Sequence, residues 1–273
     1  MKATFVAVFF LFVTFCPFVF GEQTEIEKSI QEIKIIPRAE GKKSAAFSYG
    51  HDLSWVKQGA EKGYWKENNA RLTMLGIESM TPYCEWSRQV RLDRTDSVMG
   101  VGSYFKTAKG FFHFQTGFNV GSRKYLYRFK GLFEYERNLF KTVNANFNAR
   151  YLRYIDNDVY LVSPGLIYYF GNNYLSAAYG SSLTEGRDAA HFGSLQGSFS
   201  LTERWSALVG ASVGERLYDI LLLPSSKQYG YVTFLNVTFA ASPAITFHTG
   251  FSYGKEQPSF IKRGVSFGVT IQF

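Results

Sequence analysis

The sequence predicts an all-β protein, a transmembrane antiparallel up-and-down β-barrel of about fourteen strands. Three observations lead to this fold class. From residue 44 onward apolar and polar residues alternate with a period of two, the connections between the predicted strands alternate in length, and aromatic residues gather at the strand ends. The composition agrees, because 46% hydrophobic and 18% aromatic residues are too many for a disordered chain. Only the N-terminal stretch is long and apolar enough to form a membrane helix.

Residues 1–21 have the features of a signal peptide. Lys2 supplies the positive charge, residues 3–20 are apolar, and Gly21 is small enough for the cleavage site. We therefore expect a mature chain that starts near Glu22, with an uncleaved anchor helix as the alternative.

The mature chain is expected to be basic. Removal of Lys2 leaves 29 of the 30 Lys and Arg residues against 22 Asp and Glu, a net charge of +7. Export makes anionic lipid headgroups or acidic glycans better counterparts for this charge than nucleic acid. Cys84 is then the sole thiol, which excludes an intramolecular disulfide.

Residues 22–43 form a short leader that we expect in the periplasm. Ile26, Ile30 and Ile33 recur at helical spacing, and Pro37 ends the pattern. A helix this short is unstable unless it packs on something. The leader is therefore either a short helix that docks on a partner or plugs a pore, or a solvated tail.

The barrel region, residues 44–273, is clearest in its last strand. An apolar row alternates there with a small or polar row: Val265, Phe267, Val269, Ile271 and Phe273 against Gly264, Ser266, Gly268, Thr270 and Gln272. Residues 143–151 and 205–213 alternate in the same way. In a soluble sandwich the polar row faces water, whereas in a membrane barrel the apolar row faces lipid and the polar row faces the lumen.

The period predicts fourteen strands, with twelve as the alternative count. The fourteen are 44–56, 64–79, 83–93, 97–107, 110–121, 125–138, 142–154, 158–170, 173–184, 190–202, 204–217, 228–241, 244–255 and 262–273. Connections after even-numbered strands are short, as near Thr81-Pro82, and several after odd-numbered strands are longer, as at 57–63 and 218–227. Short periplasmic turns, longer outer loops and an even strand count are typical of outer-membrane barrels.

Aromatic residues are expected to mark both membrane interfaces. With the chain termini in the periplasm, the periplasmic belt consists of Tyr83, Phe112, Phe140, Phe170, Tyr174, Trp205, Phe239 and Phe273. The outer belt consists of Trp55, Tyr64, Tyr125, Tyr127, Tyr160, Tyr229, Tyr231 and Tyr253.

Arg88 conflicts with this scheme, because it shares the row of Cys84 and Trp86 that should face lipid. An arginine at the bilayer midplane costs about 2–4 kcal/mol. We therefore expect a bulge in the third strand or a different register there.

The polar rows place charged and amide side chains in the lumen. The pore-lining candidates are Arg71, Glu85, Arg91, His113, Arg128, Lys130, Glu134, Glu136, Asn144, Asn146, Asn148 and Arg150, together with His248. A lumen of about fourteen strands is wide enough that side chains need not fill it. The candidates therefore either line a path for hydrophilic solutes, in which Arg and Lys favour anions, or pair with one another and close the lumen.

Catalysis has little support in the sequence. Outer-membrane phospholipases and lipid A deacylases pair a His with a Ser two residues along one strand, and none of His51, His113, His191 and His248 has that neighbour. The Asp-Asp and Asp-His pairs of omptin-like proteases are not found. His113 and His248 fall on distant strands, so neither a metal site nor a cofactor is expected.

The end of the chain resembles an assembly signal. Phe273 follows Ile271 and Val269 at every second position. This pattern is similar to the signal by which the barrel-assembly machinery recognises its substrates. Together with the export signal, it predicts the outer membrane of a diderm (Gram-negative) bacterium.

Three segments resemble the YaiO-like family of outer-membrane barrels. Residues 166–179 (LIYYFGNNYLSAAY) are similar to its central signature, in which an aromatic-Phe-Gly-Asn turn joins two strands. Residues 251–254 (FSYG) are similar to its late Tyr-Gly, and residues 47–49 (FSY) fit its first strand. The Phe273 ending agrees, and the resemblance covers 44–273.

The resemblance implies a link to polysaccharide export or envelope glycans. Some members carry N-terminal tetratricopeptide repeats, but residues 22–43 are too short for one repeat of about 34 residues. The leading hypothesis is a passive conduit or envelope component for hydrophilic solutes or glycans. The alternatives are a closed structural or surface-interaction barrel that acts through its outer loops, and a lipid- or protein-cleaving enzyme. The expected partners are outer-membrane lipids and lipopolysaccharide, the assembly machinery, and a glycan or small hydrophilic solute.

Overall fold

The computed structural model describes residues 44–273 except 76, 92–93, 122–125, 186, 216–228 and 258. The predicted signal peptide, the leader and the predicted outer loop 218–227 therefore lie outside the described residues. Within the described part of the chain, no helix is long and apolar enough to cross a membrane.

The described residues form a closed antiparallel barrel. Its strands are β1 (Ala45–Gln58), β2 (Glu61–Met74), β3 (Met80–Arg91), β4 (Arg94–Thr107), β5 (Gly110–Asn119), β6 (Phe129–Phe140), β7 (Val143–Arg153), β8 (Asp158–Phe170), β9 (Asn173–Thr184), β10 (Ala190–Ser200), β11 (Trp205–Glu215), β12 (Tyr229–Ser242), β13 (Ile245–Glu256) and β14 (Phe260–Gln272). Each strand pairs with the next in sequence, and β1 pairs with β14. The predicted fold class and the count of fourteen are confirmed, and the alternative count of twelve is wrong.

The two-residue period decides which side chains face out of the barrel. In β14, Phe267 and Ile271 are exposed on the outer surface, whereas Thr270 is buried on the inward row. Phe267 and Val101 are each 58% exposed. So large a continuous apolar surface does not face water in a soluble monomer, and closure leaves no unpaired sheet edge, as a barrel in lipid requires. The outward apolar rows are therefore the lipid-facing surface.

Several connections differ from the predictions, and two of them show why. A two-residue turn that begins at Gly59 joins β1 to β2 in place of the expected loop 57–63. Gly59 has a φ of 62°, a conformation that glycine adopts readily. At the other end of the barrel, Pro82 lies inside β3, and the connection is formed by residues 75–79. Proline is tolerated near the start of a strand, so it did not mark the turn.

The aromatic belts are present on the outer surface with some exceptions. We call the end of the barrel that carries Ser44 and Phe273 the periplasmic end and the opposite end the outer end. The exposed belt residues include Trp55, Tyr64, Tyr160 and Tyr229 at the outer end and Phe140, Trp205 and Phe273 at the periplasmic end. Tyr83 and Tyr174 were wrongly assigned, because they fall on inward rows and are buried. Tyr127 was also wrong, because it is buried in an apolar cluster, and Tyr125 lies outside the described residues.

Arg88 faces outward in a regular register, so the expected bulge and the expected change of register are both wrong. In the described pairing of β3 with its two neighbours, Arg88 lies opposite Asn68 and Ser97 without a break. Its side chain is exposed, and it is three residues from Arg91, which ends β3 at the outer end. The cost of an outward arginine falls to about 0–1 kcal/mol near the membrane interface. The position near the strand end therefore resolves the conflict.

Candidate functional site

The inward rows carry the predicted lumen residues. All but one lie on these rows: Arg71, Glu85, Arg91, His113, Lys130, Glu134, Glu136, Asn144, Asn146, Asn148 and Arg150. Arg128 differs, because it precedes β6 and its side chain is exposed at the outer end. His248 is inward on β13. Their role in lining a pore stays a prediction.

His113 is the centre of a buried hydrogen-bonded network. The side chain is 0% exposed, and its Nδ1 and Nε2 atoms each lie 2.6 Å from their partners, Glu134 Oε2 and the Tyr83 hydroxyl. A ring with its hydrogen on Nδ1 donates to Glu134 and accepts from Tyr83. Asn148 donates to the other Glu134 oxygen at 2.5 Å. The Tyr104 ring stacks on the imidazole with centroids 4.1 Å apart, so the network is both polar and tightly packed.

Two more carboxylates are held by neighbouring strands. Arg71 donates to Glu85 at 2.7 Å. Glu136 Oε1 accepts from Asn144 at 2.5 Å and from the Tyr169 hydroxyl at 2.6 Å. These hydrogen bonds join adjacent or next-but-one strands, so they run around the wall of the barrel.

A second polar chain follows the other side of the wall. His248 Nδ1 lies 3.2 Å from the Thr238 hydroxyl, and its Nε2 lies 3.1 Å from the Thr270 hydroxyl. Thr270 in turn lies 2.9 Å from the Ser48 hydroxyl. The chain passes through β12, β13, β14 and β1, again around the lumen.

Several large inward side chains lie flat on glycines of the neighbouring strand. Phe192 is directly opposite Gly180, and an ideal Cβ on that glycine would overlap the phenyl ring. Tyr83 covers Gly102 in the same manner. The further pairs are Asn69 on Gly50, Asn146 on Gly165, Phe234 on Gly210 and Asn236 on Gly250. The bulk of these side chains is therefore taken up along the wall.

Strands β9 to β14 line the lumen mainly with small residues. The inward positions include Ser176, Ala178, Gly180, Ser194, Gly210, Ser212, Gly250, Ser252, Gly264, Ser266 and Gly268. A small cavity lies against this wall and is bounded in part by Asp52, Ser54 and Asn236. Among the described residues, Ser54 Oγ and Asn236 Nδ2 have no hydrogen-bond partner. Buried polar atoms of this kind are usually satisfied by water, so the cavity is suited to an ordered water molecule.

Apolar side chains line the lumen at its outer end, and we call them the apolar collar. One arc consists of Val56, Trp65, Leu161, Phe192, Val232 and Phe260, from β1, β2, β8, β10, β12 and β14. A second arc consists of Val98, Leu126, Tyr127, Leu152, Tyr154 and Val159, from β4, β7, β8 and the connections beside β6 and β7. The members that belong to strands lie within four residues of the outer strand ends. The outer end of the lumen therefore holds two apolar arcs, between which buried charged side chains such as Asp96, Glu256 and Lys262 also face inward.

Trp65 is the largest member of the collar and is flanked by cations. Its ring centroid lies 4.4 Å from Arg91 Cζ and 4.2 Å from Lys262 Nζ. The Phe260 ring packs against it at a centroid distance of 5.8 Å. Cation–π attraction and ring packing together fix the indole at the mouth of the lumen.

The collar was missed in the sequence, because each member alone is one apolar residue on a polar row. What these residues share is their distance from the outer ends of their strands. Val56, Trp65, Val98 and Leu152 interrupt the polar rows of four strands, each close to the outer strand end. A comparison of the strands at equal distance from their outer ends would have drawn attention to these residues.

Two histidines face lipid near polar neighbours. His51 Nδ1 lies 2.9 Å from Asn68 Oδ1. His191 is directly opposite Ser181 in the register of β9 and β10, a neighbour that spacing along one strand does not reveal. Its Nδ1 is hydrogen-bonded to the Tyr179 hydroxyl at 2.8 Å. Among the described residues, no group of three His, Cys, Asp or Glu side chains is placed to hold a metal ion.

The barrel is similar in fold to solved outer-membrane proteins. The CymD monoaromatic hydrocarbon channel is 8% identical, with a TM-score of 0.59 over 89% of this chain and 92% of that chain. A bacterial polysaccharide outer membrane secretin is 8% identical, with a TM-score of 0.54 over 86% and 100%. The Pseudomonas putida toluene transporter TodX is 8% identical, with a TM-score of 0.54 over 85% and 90%. At these identities the likeness shows the fold alone.

No family model and no curated protein matches the sequence. The closed barrel and its apolar outer surface make the chain an outer-membrane β-barrel of the Gram-negative type, as the sequence predicts. The resemblance to the YaiO-like family stays a prediction.

Proposed function

We propose that this protein is a passive conduit for hydrophilic solutes across the outer membrane, with the apolar collar as its outer gate. The observation that carries the proposal is the packing of large inward side chains on glycines, such as Phe192 on Gly180. Barrels of eight strands fill their interiors with side chains. Here several large inward side chains lie along the wall, which favours a passage over a filled core.

The lumenal charges favour neutral solutes over ions of one sign. The inward rows carry charged groups of both signs: Asp52, Glu67, Glu85, Asp96, Glu134, Glu136 and Glu256, and Arg71, Arg91, Lys130, Arg150 and Lys262. Interspersed charges of opposite sign largely cancel, so we expect weak ion selectivity. The anion preference suggested by the Arg and Lys residues alone is not part of the proposal.

The collar gives the conduit a closed state. Hydrophobic constrictions gate pores by dewetting, because water is unstable in a narrow apolar passage. A solute with an apolar face lowers this barrier, because its own apolar surface covers that of the collar.

A glycan is the solute that combines these requirements. Sugar rings carry hydroxyl groups around a less polar face, so they suit an apolar collar followed by a lumen rich in carboxylates and amides. The resemblance to the YaiO-like family implies a link to polysaccharide export. One structural neighbour is named as a polysaccharide outer membrane secretin, which supports the proposal at the level of fold.

Planar-bilayer recording of protein extracted from outer membranes tests the conduit. The variant Trp65→Ala/Phe260→Ala removes two rings from the collar and should open more often or in larger steps than wild type. The control Trp86→Ala/Phe267→Ala removes the same residue types from the lipid-facing surface and should behave as wild type. Folded collar variants that stay silent would overturn the conduit. Vesicle swelling with oligosaccharides of increasing length then tests the solute.

A closed structural barrel is the second candidate, and the buried network around His113 favours it. Such a barrel acts through its outer loops. It predicts no conductance in wild type or in the collar variant, and loss of function when an outer loop is replaced.

A cleaving enzyme is the third candidate, motivated by Ser181 opposite His191. The structural neighbours named as channel, transporter and secretin support a role without catalysis. Phospholipase, deacylase and protease assays decide the question. Activity that disappears in His191→Ala would establish the enzyme, and silence in all three assays would remove it.

A further inference from the structure

Six cationic side chains project from one side of the outer surface, and we call them the basic belt. They stand on five consecutive strands, β13, β14, β1, β2 and β3, and all are exposed: Lys57, Lys62, Lys66, Arg88, Lys255 and Arg263. Each lies within five residues of the outer end of its strand. All six are on rows that face away from the lumen, so the belt is separate from the conduit.

No carboxylate balances the basic belt on its own face. In the described residues of these five strands, Asp and Glu do not occur on the outward rows. Glu61 is exposed, but it stands at the hairpin tip on the inward row, and Glu67 and Glu256 are inward and buried. Within the described part of the chain, none of the six cations forms an ion pair.

The strand register brings the charges close together. Lys57 lies directly opposite Lys62, and only Ile261 separates Lys57 from Lys255 across β14. Side chains directly opposite each other have Cβ atoms about 4.5–5.5 Å apart, and like charges in such pairs are destabilising. An anion held between them would remove that repulsion.

On the described strands, unpaired outward cations near the outer ends are confined to this side of the barrel. On the described outer ends of β4 to β12, the outward cation is Arg153, which is paired with Asp158 at 3.5 Å. Three aromatic residues stand among the belt cations. They are Trp55, Tyr64 and Tyr253, and the rings of Trp55 and Tyr64 lie 6.3 Å apart. Aromatic rings mixed with cations are typical of the headgroup level of a membrane.

We propose that the basic belt binds the phosphate groups of a phosphorylated glycolipid in the outer leaflet. Five residues of a strand tilted by about 45° span about 12 Å along the membrane normal. The belt cations therefore lie at the level of the headgroups. Lys57 and Lys62 form the centre of the site, with the cations of β13 and β14 on one flank and those of β2 and β3 on the other. Charge complementarity favours a phosphate group, because the belt presents six cations and no carboxylate on its own face.

Titration with bisphosphorylated lipid A tests the proposal, with bound lipid counted by native mass spectrometry of protein extracted from outer membranes. The variant Lys57→Gln/Lys62→Gln/Arg263→Gln should bind at least about tenfold more weakly than wild type. The control Lys109→Gln/Arg137→Gln/Lys141→Gln removes three exposed cations from the periplasmic end and should bind as wild type does.

Lipid A without phosphates separates phosphate recognition from apolar contact. Wild type should bind this lipid as weakly as the belt variant binds the phosphorylated form. Equal binding of phosphorylated lipid A by wild type and belt variant would overturn the proposal. Competition by phosphatidylglycerol at equal concentration would also overturn it, because it would show attraction to any anionic lipid. Without lipid, the unfolding temperature of the belt variant should equal or exceed that of wild type, because the repulsion between neighbouring cations is removed.

Discussion

Replacement of His113 by Ala should destabilise the barrel strongly and leave its conductance unchanged. The side chain is fully buried and hydrogen-bonded to Glu134 and Tyr83 at 2.6 Å. Truncation deprives a buried carboxylate and a buried hydroxyl of this partner, at about 1–3 kcal/mol each. Loss of the stacked contact with Tyr104 adds about 0.5–1.5 kcal/mol. Because Asn148 still bonds to Glu134, we expect a decrease in unfolding free energy of roughly 3–5 kcal/mol.

Urea titration in lipid vesicles, followed by heat-modifiable mobility, measures this free energy. The matched variant Tyr169→Phe removes one hydroxyl from Glu136, which keeps the Asn144 amide. Its expected cost is about 1 kcal/mol. A smaller loss in His113→Ala than in Tyr169→Phe would show that the network does not support the fold.

Conductance of the same two variants tests the geometry. The hydrogen bonds of His113 run along the wall, so their removal should not widen the passage. If folded His113→Ala protein conducts several times more current than wild type, the imidazole lies in the path. That result would refute the inference that the lumenal side chains are packed on the wall.

Three further predictions follow from the packing and the surface. Gly180→Ala should push the Phe192 ring off the wall, lower the conductance and cost about 1–3 kcal/mol of stability. Gly193 has open space around it, so Gly193→Ala should change neither conductance nor stability. Equal effects of the two substitutions would contradict the packing of rings on glycines. Val101→Arg places a charge on the lipid face in mid-strand and should lower the free energy of unfolding in vesicles by about 2–4 kcal/mol. Arg88→Leu, near the strand end, should change it by less than about 1 kcal/mol. A large loss of stability in Arg88→Leu would show that Arg88 is bound by a specific partner. Deletion of Phe273 should lower the fraction of heat-modifiable barrel in outer membranes, and normal assembly of that variant would remove the terminal signal.

The fold could be predicted because each strand obeys a local rule. Phe267 and Gly268 alternate in β14 as they do because one faces lipid and the other the lumen, and a period of two needs no knowledge of distant residues. The strand count and the lumen candidates follow from the same rule. The prediction failed where a residue type that is common in turns or loops lies in a strand. Pro82 resembled a turn but is the third residue of β3, and Lys57 resembled a loop but lies inside β1.

The lumen could be predicted as a row but not as a packed surface. The period assigns His113, Glu134 and Tyr83 to strands, but their contact depends on the stagger between β3, β5 and β6. That stagger is set by the closure of the whole barrel, which no short segment contains. The role of the glycine beneath each large side chain could not be predicted for the same reason. Gly180 must be small because it lies under the ring of Phe192, a residue on another strand.

On several strands the outer end of the barrel reverses the rule that holds at mid-depth. In the middle of the strands the outward side chains are apolar and the inward ones polar, as with Phe267 and Ser266. Near the outer end Val56 is inward beside outward Lys57, and Trp65 is inward beside outward Lys66. The outward change has a direct cause, because charged side chains become inexpensive where hydrocarbon gives way to headgroups. The inward change has no such cause, since the lumen is not lipid at any depth. The apolar arcs at this level therefore act on the lumen side of the wall, which is the reason to propose that they close the conduit and to test them first.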